Sequence, residues 1–273
     1  MTDTHESTRE VRVGDHVDAG VYVDVGGHPM WHFESGDPSG PPTVLVHGVF
    51  ASAASWGTQI ADLTKAGLHL YLPERTGHGH TPDRPGAWSL TAAADELIGY
   101  LDGVVGGPAH LVGWSDGATI ALLVALRRPD LVSRMVVFGN YVNPTGSAAG
   151  DFIDRIRARE RGLVAFLRDG YQQVTPDGAA HFDVVYDKTA SMLTTEPDYP
   201  IADFAAVAAP TLVVAADRGV VHLEHSMELA RMLPRGRLSI LPGTHLLPIE
   251  APEMFNPLVV SYLAADPPSR WLI

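Results

Sequence analysis

A serine held between glycines, an aspartate and a histidine late in the chain are the residue types that can make a hydroxyl nucleophilic. The serine lies in Ala109-His110-Leu111-Val112-Gly113-Trp114-Ser115-Asp116-Gly117-Ala118-Thr119-Ile120. The first residues of this stretch are β-prone, its middle reads G-x-S-x-G, and helix formers follow through Arg128. A serine on a sharp strand-to-helix turn is a nucleophile elbow. Such a turn puts the serine backbone near positive φ, and bulk two positions to either side would collide with the neighbouring strand and helix. A serine hydroxyl needs a base within hydrogen-bond reach, and the base needs an orienting acceptor. His245 is the candidate base, because it follows the last predicted strand and completes a Ser…acid…His order. Asp217, just after the preceding strand, is the candidate acid. The N–H groups of Val49 and Asp116 are the candidate oxyanion donors, which acyl transfer requires.

These side chains meet only if several strands end at one sheet edge. Val21 to Val25 and Met30 to Phe33 read as two short strands around Gly26-Gly27. Thr43 to Val46, His69 to Leu72, Ala109 onward, Met135 to Phe138, Thr211 to Ala215 and Arg237 to Leu241 are apolar runs of the kind a parallel sheet buries on both faces. Apolar residues at helical spacing lie between them: Trp56, Ile60 and Leu63; Leu90 to Leu101; Ile120 to Leu126; Glu224 to Leu233; and Phe255 to Leu263. The expected fold is α/β, a mostly parallel, doubly wound sheet with helices on both faces.

From Tyr141 to Ala206 the composition changes to two helical stretches without a convincing strand. An insertion of this kind predicts a helical cap over the catalytic face. The expected division is a core of residues 21–140 and 207–266, a cap of 141–206, and a disordered tail over 1–9.

Together, His47-Gly48, Gly113-Trp114-Ser115-Asp116-Gly117, Gly243-Thr244-His245 and Pro252-Glu253 resemble the α/β-hydrolase superfamily. The Arg75-x-Gly77-His78-Gly79 loop and the Pro210 to Val214 strand fit the same resemblance, which covers nearly the whole chain from Val21. It implies a serine hydrolase that uses no cofactor and no metal. One position departs from the pattern. Members commonly carry G-D-x-D after the penultimate strand, with the second aspartate as the triad acid; here the segment reads Ala216-Asp217-Arg218-Gly219. The resemblance leaves three ways to orient His245: Asp217 after a shift of the loop, Asn140 at the end of the sixth strand, as in some members, or no acid at all. Glu224 is a more distant candidate.

Other chemistries find less support. The 273 residues contain no cysteine, which excludes disulfides, thiolate metal sites and a cysteine nucleophile. A net charge of −13 argues against nucleic acid or anionic membrane as a partner. No signal peptide is visible, so a cytoplasmic protein, monomeric or homodimeric, acting on a small molecule is expected. His78 and His80 lack a carboxylate or cysteine framework and read as a loop shaping the pocket rim; His222 and His225 read as surface histidines. The expected function is hydrolysis of an ester or lactone of a small to medium apolar substrate through an acyl-enzyme. A non-catalytic ligand-binding protein and a cofactor-free oxygenase or perhydrolase are the alternatives.

Overall fold

In the computed structural model, which describes residues 19–147 and 152–266, eight strands form one sheet. The segment read as a tail, 1–9, lies outside the described residues. The strands are β1 (Val21–Asp24), β2 (Pro29–Ser35), β3 (Pro42–Val46), β4 (His69–Pro73), β5 (Ala109–Trp114), β6 (Val132–Phe138), β7 (Thr211–Arg218) and β8 (Gly236–Thr244). Their order is β1-β2-β4-β3-β5-β6-β7-β8. Only the β1–β2 and β2–β4 pairs are antiparallel. Val44, Leu45 and Val46 are fully or almost fully buried, as a strand covered on both faces must be.

Helices α1 (Gly57–Lys65), α2 (Leu90–Tyr100), α3 (Asp116–Arg127), α7 (Leu223–Met232), α8 (Leu247–Glu250) and α9 (Pro252–Ala264) cover the sheet. Two apolar cores result, one per face. One gathers Leu90, Leu97, Ile120, Leu122 and Leu229; the other gathers Trp56, Leu63, Phe255 and Val259. The fold is therefore the expected doubly wound α/β sheet. Among the described residues, no helix is long and apolar enough to cross a membrane.

Three boundaries differ from the sequence reading, each for a local reason. Helix α3 stops at Arg127, because Pro129 drives the residue before it, Arg128, to φ −135°. Strand β8 runs on to Thr244 through Pro242, which an edge strand tolerates because its outer side carries no ladder. Between β6 and β7 the described residues hold three α-helices rather than two helical stretches: α4 (Phe152–Arg157), α5 (Ala165–Val174) and α6 (Phe182–Met192). The first stretch breaks at Arg159, whose φ of 62° ends any right-handed helix.

Every parallel strand delivers its C-terminal end to the same edge of the sheet, and there the chain makes its tightest turn. Ser115 sits at φ 60° and ψ −128° between β5 and α3. Its N–H donates to the Phe138 carbonyl at 2.8 Å, and its own carbonyl accepts from Ala118 at 3.0 Å. The flanking glycines are a steric necessity. A Cβ on Gly113 would lie 2.5 Å from Ala118 Cα, and one on Gly117 would lie 2.3 Å from the Val46 carbonyl oxygen. Both obstacles are backbone, so they cannot step aside cheaply.

Gly117→Ala should therefore destabilise the fold by a few kcal/mol, lowering the melting temperature by about 5 °C or more. A thermal melt of the variant within 1 °C of wild type would refute this account of the elbow.

Candidate active site

Ser115 and His245 line one cavity of about 30 Å³, together with Val49, Asp116, Gly139, Asn140 and Tyr141. Phe152, Ile153 and Leu193, from the helical segment between β6 and β7, form its apolar wall. The turn after β3 is pressed onto the elbow: a Cβ on Gly48 would come within 3.0 Å of Ser115 Cβ. Val49, next in the chain, lines the same cavity as Ser115. The Asp116 N–H is the first of α3, where the helix dipole favours negative charge.

His245 reaches this cavity from the far side of the sheet. Its carbonyl accepts from Trp114 Nε1 at 3.0 Å, so the residue before Ser115 ties down the residue that carries the imidazole. The imidazole stacks on Phe138 at 6.2 Å and 23°. Its Nδ1 lies over Gly139, where a Cβ would approach within 2.9 Å. Gly139 is at φ 64°, so both the left-handed backbone and the ring above it call for glycine.

The candidates for orienting the ring are placed differently. Asp217 is exposed at the end of β7, and its Oδ1 accepts from the Gly243 N–H at 2.9 Å. It thus braces the turn that carries His245 and is not among the residues lining the cavity of Ser115. Gly219 and His245 both line a smaller void with Phe138, Ala215, Ala216 and Val220. Asn140 is buried beside Gly139 and lines the cavity; its Nδ2 has no hydrogen-bond partner among the described residues. Glu224 is exposed in the first turn of α7.

A buried ion pair flanks the site. Arg75 Nη1 donates to Asp116 Oδ2 at 2.9 Å and Nη2 donates to Oδ1 at 3.3 Å. The side chains are 11% and 10% exposed. Burial raises the Asp116 carboxyl above the ordinary carboxylate range, against the pull of Arg75 and of the Gly117 and Val49 N–H groups directed at it. His47 braces the same loop. Its Nδ1 lies 2.8 Å from the Gly48 carbonyl, and its Nε2 accepts from the Arg75 N–H at 3.1 Å, which fixes the proton on Nδ1. Burial, reinforced by Arg75, lowers its pKa to about 3. Arg75, His78, Arg84, Trp88, Glu96 and Met192 line a larger cavity of about 180 Å³, which shares Val49, Leu90 and Asp116 with the first.

The Arg75–Asp116 pair and the Trp114 anchor were not visible from sequence, since neither follows a motif or a periodicity. His225 corrects the sequence reading: it is 3% exposed, not a surface residue. It lies in the first turn of α7, and its Nε2 accepts from the Val142 N–H at 3.1 Å. Gly146 packs on the ring, where a Cβ would sit 2.8 Å from Cγ. His222, by contrast, is exposed. His78 lines the larger cavity, as a rim residue should, but is 3% exposed and stacked on Trp88 at 4.9 Å. His80 pairs with the buried carboxylate of Glu74 at 2.9 Å.

Comparison with known proteins agrees with the fold. A family model described as "Alpha/beta hydrolase family" matches residues 43–258, and the chain belongs to that family. It is 26% identical over 260 residues to the mouse sn-1-specific diacylglycerol lipase ABHD11, covering 84% of this chain and 83% of the lipase. It is 25% identical over 251 residues to the putative carbamate hydrolase RutD of Stutzerimonas stutzeri, covering 84% and 93%. Among solved structures, a meta-cleavage product hydrolase from Pseudomonas fluorescens superposes with a TM-score of 0.74 at 24% identity, covering 91% of this chain and 99% of that one. The enol-lactonase of Burkholderia xenovorans superposes with a TM-score of 0.73 at 18% identity, covering 89% and 100%.

The buried imidazoles give the fold an acid-sensitive stability. Burial holds His47, His78 and His225 below the usual histidine pKa, His47 at about 3 and His225 at about 4. The unfolded chain takes up protons on these rings near pH 6.5 and the folded chain only well below it, so acidification favours unfolding. Between pH 6.5 and pH 4 each ring should remove up to about 1.4 kcal/mol of stability per pH unit. Urea denaturation across that range checks this, with His225→Gln expected to flatten the slope by one ring's share; a flat wild-type profile would contradict it.

Proposed function

We propose that this member of the alpha/beta hydrolase family is a serine hydrolase that cleaves an ester or lactone of a small to medium apolar substrate through an acyl-enzyme. The observation that carries this reading is the cavity shared by Ser115, lifted off the sheet on its strained turn, and His245. His245 takes the proton from Ser115 Oγ as the oxygen attacks the carbonyl carbon. The N–H groups of Val49 and Asp116 receive the oxyanion. His245 then protonates the leaving alcohol and activates the water that clears the acyl group.

The cavity of about 30 Å³ has room for roughly one water, so a substrate of several carbons needs more space. The adjoining cavity of about 180 Å³ supplies it, with Trp88, Leu90 and Met192 as apolar walls. In this reading residues 141–206 act as a cap on the core of 21–140 and 207–266, with Phe152, Ile153 and Leu193 facing the acyl group. The relatives' names point the same way: a diacylglycerol lipase and a carbamate hydrolase both cleave at an acyl carbon bonded to a heteroatom.

Burial favours Asn140 over Asp217 as the group that orients His245. Asn140 lines the cavity beside Gly139, whereas the Asp217 carboxylate is exposed and bonded to Gly243. An asparagine oxygen accepts an imidazole N–H without adding charge.

Turnover of p-nitrophenyl butyrate and of a simple lactone tests the reading. Ser115→Ala should lower kcat by about 1,000-fold or more with the fold intact. Ligand binding without turnover by the wild type would overturn it in favour of a receptor, and oxygen consumption that survives Ser115→Ala in favour of an oxygenase. Asn140→Ala should cost about 100-fold in kcat and Asp217→Asn no more than about fivefold. The reverse order in steady-state kinetics would return the orienting role to Asp217.

A further inference from the structure

A carboxylate next to the nucleophile opposes the reaction proposed above. Negative charge must develop on the substrate oxygen beside the N–H groups of Val49 and Asp116. The Asp116 carboxylate is already there, 3.7 Å from where a Cβ on Gly48 would stand. It also draws the Val49 N–H toward itself, so it competes with the oxyanion for one of its two donors. Left alone in so buried a place, it would repel the developing charge strongly.

Arg75 is built to prevent this. Both guanidinium Nη atoms are committed to the two oxygens of Asp116. The backbone of Arg75 is fixed through its N–H to His47 Nε2, and His47 in turn holds the Gly48 carbonyl. The cation that neutralises the carboxylate and the loop that presents Val49 are therefore one hydrogen-bonded unit. The charged and titratable groups around Asp116 are Arg75, Arg84, Glu96 and His78 about the larger cavity, and Tyr141 and His245 about the smaller. Among the described residues, Arg75 is the cation that forms an ion pair with it.

Taking the ester-hydrolase reading of Ser115 as given, we infer that Arg75 is a positioning residue for the oxyanion site. It holds the Asp116 carboxylate back and balances its charge, leaving the Val49 and Asp116 N–H groups for the substrate oxygen. In this role Arg75 acts through Asp116, although its side chain also lines the larger cavity. Without it, the site works only when the Asp116 carboxyl carries a proton.

The experiment measures kcat and KM for p-nitrophenyl butyrate from pH 5.5 to 9 in wild type, Arg75→Met and the Arg75→Met/Asp116→Asn double variant. Each variant is read as a ratio to wild type. Arg75→Met should lose about 100-fold in kcat at pH 8.5, comparable to the loss of an oxyanion donor, with KM within about threefold. Its ratio to wild type should climb as the pH falls and Asp116 is protonated. The double variant, with a neutral amide in place of the carboxylate, should recover most of the loss and show no such limb. A loss that is equal at every pH and unrelieved by Asp116→Asn would overturn the inference and leave Arg75 a packing residue. So would an Arg75→Met enzyme as fast as wild type. If that variant does not fold, Arg75→Gln replaces it with the same expected limb. Failure of the underlying reading shows in the wild type alone: no ester turnover and no labelling of Ser115 by a fluorophosphonate would overturn both together.

Discussion

The left-handed backbone of Ser115 is the constraint on which the site depends. A non-glycine residue at φ 60° and ψ −128° costs on the order of 1–3 kcal/mol, and it persists only where the surroundings leave no alternative. Here they come from four directions. The Phe138 carbonyl holds the Ser115 N–H, and α3 begins on its carbonyl. Gly113 and Gly117 let α3 and the end of β3 close to distances that a Cβ would block. Relaxing the turn would therefore separate β5 from α3 and pull the Val49 loop off the nucleophile. Strain and catalytic geometry are the same structural fact at this point.

The electrostatics of the site follow from what that turn buries. Asp116 cannot leave, because it opens α3, and its carboxylate is largely shielded from bulk water, because the β3 turn lies over it. A paired cation is the way to keep such a charge, and Arg75 provides it from the loop after β4. That loop is itself set on a buried carboxylate: Glu74 is 1% exposed and accepts from the Ala53 N–H at 3.1 Å. Gly79 packs on that carboxylate at φ 54°, a backbone that favours glycine, with an added Cβ 2.1 Å from Glu74 Oε2. Two acids and one arginine thus hold the three loops around the nucleophile, and their partners are backbone N–H groups as much as side chains.

How much of this was legible in the sequence depended on whether a signal was local. The strands and helices were readable because burial imposes period and run length on neighbouring residues, and Ser115 because its turn restricts the residues two positions away. His245 was readable from chain order. The Arg75–Asp116 pair was not, since the partners come together only through the pairing of β4, β3 and β5. His225 misled because a histidine three residues after an exposed one at the start of α7 gives no hint that Val142 donates to it. The break at Arg159 was missed because the apolar stripe resumes on its far side in phase with a single helix. The G-D-x-D departure could be read, but not its consequence, because whether a loop shifts to bring Asp217 inward is a matter of packing.

That departure reaches beyond the base. Among the described residues, Phe138 lies against the face of the imidazole, Gly139 beneath Nδ1, and a void lined by Ala215, Ala216, Gly219 and Val220 beside it. An aspartate at position 219 would have put a negative charge beside the ring and favoured the imidazolium. Proton transfer would create a cation and an oxyanion together, so the site must support both. The candidate donors on the oxyanion side share their surroundings with the Asp116 carboxylate, and in the role inferred for it the guanidinium of Arg75 sets how much of their field reaches a substrate.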